Sequence, residues 1–421
     1  MKTTTIATSA AAALAALALT GYGSLPSQSA AAPTVTHTVI NWKTGAAGAT
    51  VTGSAAVTAA GAAPVTAGST VHITAATAAA AIPSLTYRQL AGQRVIYSYA
   101  GLTPPPGLLR HIRHGEVGGI IFFGGNISSR SQIAAVVHEL ERANASSLNP
   151  VRAPLLLMTD QEGGLVRRLP GAPLLSEKQI GRSADPAGEA TSAGTGAGNN
   201  LLSVGMNVNL APIVDIYRHA GDFYDQYGRA YSSNASTAAR LGADFIRAQQ
   251  ATGVAATAKH FPGLGSAAAT QNTDAGPVRL YDSLTRIRTV DELPYKSAIA
   301  AGVKLVMASW ASYPNIGSRR PAGLSSKVVK GELRRRLGFT GVTITDAIEA
   351  GGLRGYGSIA RRSRMAAQAG MDLVLSAGQN VGNGNSAVSS LEDSYRYRTL
   401  NRADFRAAVA RVITLRRSLP G

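Results

Sequence analysis

Short apolar runs rich in β-branched residues alternate along this chain with longer segments whose apolar positions recur at helical spacing. The runs are RVIYSYAG, GGIIFFG, LLLMTD, NVNLAPIVD, VAATAKH, KLVMASW, VTITD and DLVLS. Continuous apolar runs of this length suit parallel strands buried on both faces. Between them lie helical patterns. NASTAARLGADFIRAQQATG predicts a helix stopped at Gly253, and SSKVVKGELRRRLG one that runs from a serine cap to Gly338. Thr86-Tyr87-Arg88-Gln89 has the form of a capping box at the first helix. Eight strands separated by helices predict an α/β chain of (β/α)8 TIM-barrel type in preference to an open doubly wound sheet. No G-x-G-x-x-G opens the first helix, which counts against dinucleotide binding.

The pattern begins only near Ser84. Residues 1–32 open with Lys2, an Ala/Leu run and small residues, the composition of a secretory signal peptide. Its LTGY stretch resembles the end of a lipoprotein signal, but Tyr22 stands where a lipid-bearing thiol would be. Release is therefore expected rather than lipid anchoring, with an uncleaved anchor as the alternative. Residues 33–82 are an Ala/Thr/Gly-rich, charge-poor linker with Trp42 as its one large aromatic and TVTHTVI as a stray strand candidate. Residues 83–421 form the barrel domain. The expected location is secreted or cell-envelope associated, with no stable membrane insertion after signal processing.

Composition narrows the chemistry. The 421 residues contain no cysteine, which excludes disulfides, thiolate metal sites and thiol nucleophiles. The formal charge of +18 admits a polyanionic partner. The basic residues are scattered, apart from Arg334-Arg335-Arg336, and carry no nucleic-acid motif. A solvated basic surface, with association to an anionic cell-wall polymer, is expected; a nucleic-acid partner is not. The chain is expected to be a monomer.

In a (β/α)8 barrel the chemistry sits at the C-terminal strand ends. The polar residues there are Asp160 after LLLMT, Lys259-His260 after VAATA, and Asp346 after VTIT, with Asp215 nearby. One aspartate at a strand end is ordinarily the cap of the next helix, but three such residues on one rim suit a polyhydroxylated substrate. Asp372 begins its strand and is expected to be structural. Paired carboxylates are the usual machinery of glycoside hydrolysis. No metal-ligand spacing is present, so a metal mechanism has little support.

The ordered landmarks GGIIFFGGN, TDQEGGLVRRLPG, GMNVNLAPIVD, GRAYSSN, ATAKHFPGLG, GFTGVTITDAIEAGGL and AGMDLVLS resemble glycoside hydrolase family 3, in its single-domain β-N-acetylglucosaminidase branch. The resemblance implies a catalytic barrel that, with no cofactor, removes terminal β-linked N-acetylhexosamine with retention, from peptidoglycan- or chitin-derived oligosaccharides. By position it implies Asp346 as nucleophile and Asp160, Arg168, Arg229, Lys259 and His260 as substrate-binding residues.

The chain departs from that branch after KHFPG. The branch carries an Asp-Ser-His-like triplet there, whereas SAAATQNTD follows here and no histidine occurs after His260. Asparagine cannot transfer a proton, so Asp274 is the titratable candidate for the acid/base. Two readings stand for it: the proton donor, or an exposed turn former. Three functions stay open in consequence. They are an exported retaining glycosidase, a catalytically weak or inactive glycan-binding homologue, and a β-glycosidase with another sugar preference.

Overall fold

A computed structural model describes residues 84–421. The expected signal and linker, with Tyr22, Trp42 and TVTHTVI, lie outside the described residues.

The apolar runs become eight parallel strands: β1 Val95–Tyr97, β2 Gly119–Ile121, β3 Leu156–Thr159, β6 Val208–Asn209, β7 Ala255–Phe261, β8 Leu305–Ala308, β9 Val342–Ala347 and β10 Leu373–Leu375. They close into a barrel in the order β1-β2-β3-β6-β7-β8-β9-β10, with β10 pairing back onto β1 through Val95↔Val374. The expected (β/α)8 architecture is the one found. Ile96, Leu156, Met158, Val208, Leu305, Ile344 and Leu373 belong to one buried apolar cluster, whose burial drives closure. Two large clusters, one around Leu140, Val374 and Phe405 and the other around Ile213, Ile246 and Val306, pack the helices and strands together.

Two further strands, β4 Gln161–Gly163 and β5 Val166–Arg167, form a small antiparallel hairpin after β3. Periodicity did not predict them, because each is too short to show alternation. NVNLAPIVD is strand only at Val208–Asn209. Pro212 has no N–H to give to the ladder, yet an isolated bridge between Ile213 and Lys259 keeps this segment beside β7.

Local signals account for the helix ends. Thr86 and Gln89 form the predicted capping box. Asn234 caps the helix Ala235–Ala251, accepting from Thr237 N at 3.0 Å, and Gly253 follows at φ +95°. Removing that cap in Asn234→Ala should cost about 1 kcal/mol, visible as a lower urea midpoint with an unchanged slope. The helix over Lys327–Arg336 differs from its prediction: it winds in wide i→i+5 turns, and Ser326 gives no side-chain cap.

That helix explains the one basic run. Arg334 pairs with Asp372, and Arg336 with Glu292 and Glu332. Asp372, at the start of β10, is fully buried and also takes Arg411 at 2.7 Å and Thr343 N at 2.9 Å. Burial alone would raise its pKa, but Arg334 and Arg411 hold it below the ordinary value. Asp372 is thus a structural anchor at the end of the barrel opposite the polar rim. Two of the three arginines that suggested a polyanion contact are spent on internal carboxylates.

Candidate active site

The C-terminal strand ends gather the expected polar residues. Asp160 directly follows β3, Lys259 and His260 lie just before the end of β7 at Phe261, and Asp346 is the penultimate residue of β9. Lys259 extends its ammonium to Asp160 at 2.8 Å and to Glu162 at 2.7 Å. Glu162, on β4, also accepts from Arg229 Nε and Nη2, at 2.8 Å each. Left alone, burial would push the Glu162 carboxyl up. The two cations reverse this and hold it at about 2. Asp160, Lys259, Glu162 and Arg229 therefore form a fixed chain of alternating charge along the rim.

Glu162 was missed from sequence because TDQEGG offers two acids and strand-end logic selects the first. The hairpin supplies the reason for the second. Gly163 at φ +117° and Gly164 at φ +54° take backbone conformations that disfavour a side chain, and this turn aims Glu162 into the buried side of the barrel mouth. Beneath it, Glu177 accepts from Ile213 N at 2.8 Å. Burial first, and then the Glu162 charge, push the Glu177 carboxyl well above its ordinary range.

Asp215 is the second buried organiser. It accepts from His260 N and Nδ1, each at 2.9 Å, from Leu264 N at 3.0 Å and from Tyr295 OH at 3.1 Å. Four donors hold this one carboxylate in place, and the bond from His260 Nδ1–H fixes the imidazole ring. Tyr224 stacks on that ring at 5.5 Å, its hydroxyl 3.0 Å from Nδ1, and the Arg229 guanidinium lies 5.3 Å from the Tyr224 ring centre. Sequence marked Asp215 only as near a strand end, and gave no signal for Tyr224 or Tyr295, which arrive from distant segments.

Asp346 is half-buried and accepts a single bond, from Ala347 N at 2.7 Å. Behind it Trp310 Nε1 donates to Ala347 O at 2.8 Å, which steadies the strand end. Arg168 sends its backbone N–H to Asp160 O at 3.2 Å, while its buried Nε has no partner within the protein. Arg168 and Arg229 thus differ: Arg229 is committed to Glu162, and Arg168 keeps a donor in reserve.

The loop after β7 returns over the rim. Asp274 has Asp346, His260, Arg229 and Asp160 among its charged neighbours. In the free protein Asp274 is an exposed turn residue, as one of its two expected readings had it, and its carboxyl stays within range of the rim charges. Burial first, then the Asp346 charge, push it from 3.8 to about 6, against the downward pull of His260 and Arg229. The structure therefore brings Asp160, Arg229, Lys259, His260, Asp274 and Asp346 together, with Arg168 adjoining through Asp160. Among the described residues no group of three His, Asp or Glu side chains could hold a metal ion, and no helix is long and apolar enough to cross a membrane.

Comparison with known proteins gives a consistent picture. Residues 107–415 match the glycosyl hydrolase family 3 N-terminal domain. An uncharacterized secreted glycosyl hydrolase of Arthroderma benhamiae is 43% identical over 344 residues, covering 82% of this chain and 97% of that protein. β-Hexosaminidase A of Pseudoalteromonas piscicida is 28% identical, over 82% of this chain and 63% of its own length. Among solved structures, a family 3 β-N-acetylglucosaminidase of Paenibacillus sp. superposes with a TM-score of 0.74 at 32% identity, over 80% of this chain and 63% of that one. A β-N-acetylhexosaminidase of Beutenbergia cavernae does so with 0.68 at 30% identity, over 79% and 98%.

Proposed function

The chain belongs to glycosyl hydrolase family 3 and is an O-glycosyl hydrolase, and on that premise we propose that it is an exported retaining β-N-acetylhexosaminidase. It removes terminal β-linked GlcNAc from chitin- or peptidoglycan-derived oligosaccharides. The observation that carries this is the pairing of Asp346 with Asp274, a second carboxyl pushed up to about 6 beside it. The β-hexosaminidase relatives support the sugar class, and the secreted Arthroderma relative supports export.

The chemistry follows from the geometry. The Asp346 carboxylate attacks the anomeric carbon, forming a carbon–oxygen bond as the glycosidic bond breaks. The departing oxygen takes the Asp274 proton. Water then gives a proton to the Asp274 carboxylate and attacks the same carbon, which releases Asp346 and the sugar. Because water reaches Asp274 in the free protein, its upward push is completed when a bound sugar excludes that water. Asp160, Lys259 and His260 hold the sugar hydroxyls, and Arg168 supplies its unpartnered donor.

The test compares chitobiose with a dinitrophenyl β-GlcNAc, whose leaving group departs without protonation. Asp274→Ala should lose about 10²–10⁴-fold in kcat/KM on chitobiose and far less on the aryl substrate. Wild-type kcat/KM on chitobiose should fall as pH rises above about 6, as the donor loses its proton. Full chitobiose hydrolysis by Asp274→Ala would remove the acid/base role, and no turnover of either substrate by wild type would overturn the proposed activity.

A further inference from the structure

Asp274 sits on a loop with little side-chain anchoring of its own, since SAAATQ separates it from the KHFPG strand end. A proton donor must nonetheless stand within hydrogen-bond reach of one oxygen. The backbone shows what holds it. Asn272 shapes a local turn, its Oδ1 accepting from Asp274 N at 2.8 Å and its carbonyl from Ala275 N and Gly276 N at 3.2 and 3.1 Å. That turn is then fastened to another segment: Gly351 N donates to Asp274 O, and Gly352 N to Thr273 O, both at 2.8 Å.

Gly351 and Gly352 lie five and six residues beyond Asp346, at the start of the 3-10 turn Gly351–Tyr356 that leaves β9. Neither has a positive φ, so backbone conformation does not call for glycine at either position. Close approach does. A Cβ on Gly351 would stand 2.4 Å from Ala275 O and 2.6 Å from Asp274 O, and one on Gly352 would stand 2.9 Å from Thr273 O. The first contact is closer than real Cβ atoms come to backbone oxygen, and the obstacle is main chain that cannot rotate aside. The base of the dock is rigid. Trp310 is fully buried, binds Ala347 O through Nε1, and has its Cβ 3.3 Å from the Gly352 position.

We propose that the Gly351-Gly352 turn is the positioning device of the catalytic pair, a backbone dock that registers the Asp274 loop against the nucleophile strand. It rests on the assignment of Asp274 as acid/base given above. The nucleophile strand and the proton donor then move as one unit, which fixes their separation without any side-chain contact between them. Gly351 and Gly352 themselves touch no substrate.

The experiment measures Asp274→Ala, Gly351→Ala, Gly352→Ala and a control, Gly355→Ala, on chitobiose and dinitrophenyl β-GlcNAc. Gly355 lies in the same 3-10 turn, with nothing within 4 Å of its Cβ position. Gly351→Ala should lose about 10²-fold in kcat/KM on chitobiose, the scale of a misplacement of about 1 Å, while kcat/KM on the aryl substrate changes little and its aryl kcat falls because deglycosylation becomes the slow step. Azide attacks a glycosyl-enzyme without a general base, so it should accelerate Gly351→Ala and Asp274→Ala on the aryl substrate and leave Gly355→Ala unaffected.

If Asp274→Ala shows this leaving-group signature and azide rescue while both glycine variants match Gly355→Ala, the dock is overturned and the Asp274 assignment stands. If Asp274→Ala shows neither, the assignment itself has failed. Should Gly351→Ala not fold, Gly352→Ala asks the same question with a milder clash. Amide exchange at Gly351 and Gly352 reads the dock in the wild type: core-like protection is expected, and exchange at open-loop rates would overturn it.

Discussion

Asp346→Asn should lower kcat/KM by about 10⁴–10⁶-fold on both chitobiose and the aryl substrate, the range in which loss of one member of a catalytic unit falls. Unlike the Asp274 variants, it should show no leaving-group dependence, because no glycosyl ester can form whatever the leaving group. The fold should be untouched. The side chain accepts one backbone bond, which asparagine reproduces through its own carbonyl oxygen, so the urea midpoint should match wild type. The substitution also removes the like charge that helps hold Asp274 near 6, so the Asp274 pKa should fall. A slow fluorosugar substrate should leave its mass on the peptide bearing Asp346 in wild type and on no peptide in the variant. A labelled peptide elsewhere, or near-normal turnover by Asp346→Asn, would dismiss the nucleophile assignment.

Glu162→Ala should have the largest effect on stability, about 3–5 kcal/mol, because it leaves the half-buried Arg229 without its carboxylate partner and the buried Lys259 with Asp160 alone. The pH dependence has a definite sign. The Glu162 carboxyl is held at about 2 in the fold against an ordinary 4.5, so its stabilisation is complete above about 4.5 and lost as pH falls towards about 2. The gap between wild type and variant should therefore narrow over that window in denaturant titrations. KM should rise as well, since Lys259 loses one of its two anchors and Arg229 its carboxylate partner. Equal stability of wild type and Glu162→Ala near neutral pH would show that the rim charges are not organised through Glu162.

The difference between these residues shows how far the chain could be read without its fold. Asp346 was legible because a buried run ends on it, and Lys259-His260 for the same reason. Glu162 was not, because its importance comes from a two-stranded hairpin too short to leave a periodic trace. Asp215 looked like one more strand-end acid. Its four donors come from Tyr295, 80 residues away, and from His260 and Leu264, 45 and 49 residues away, and no local pattern encodes such a meeting. Gly351 and Gly352 looked like turn formers, whereas the fold uses them for close approach to another loop.

By itself, then, the sequence determined the barrel, its eight strands in order, the capping box at Thr86 and several of the residues delivered to the rim. All of these follow from periodicity and local hydrogen bonding. The tertiary structure alone decided which carboxylates are ionised and which are raised, because those depend on burial and on charges contributed by distant segments. It also decided that Asp274, an unremarkable acid in an alanine-rich loop, comes within electrostatic reach of Asp346. The loop is fastened to Gly351 and Gly352 by backbone atoms, which every residue carries and no sequence pattern distinguishes.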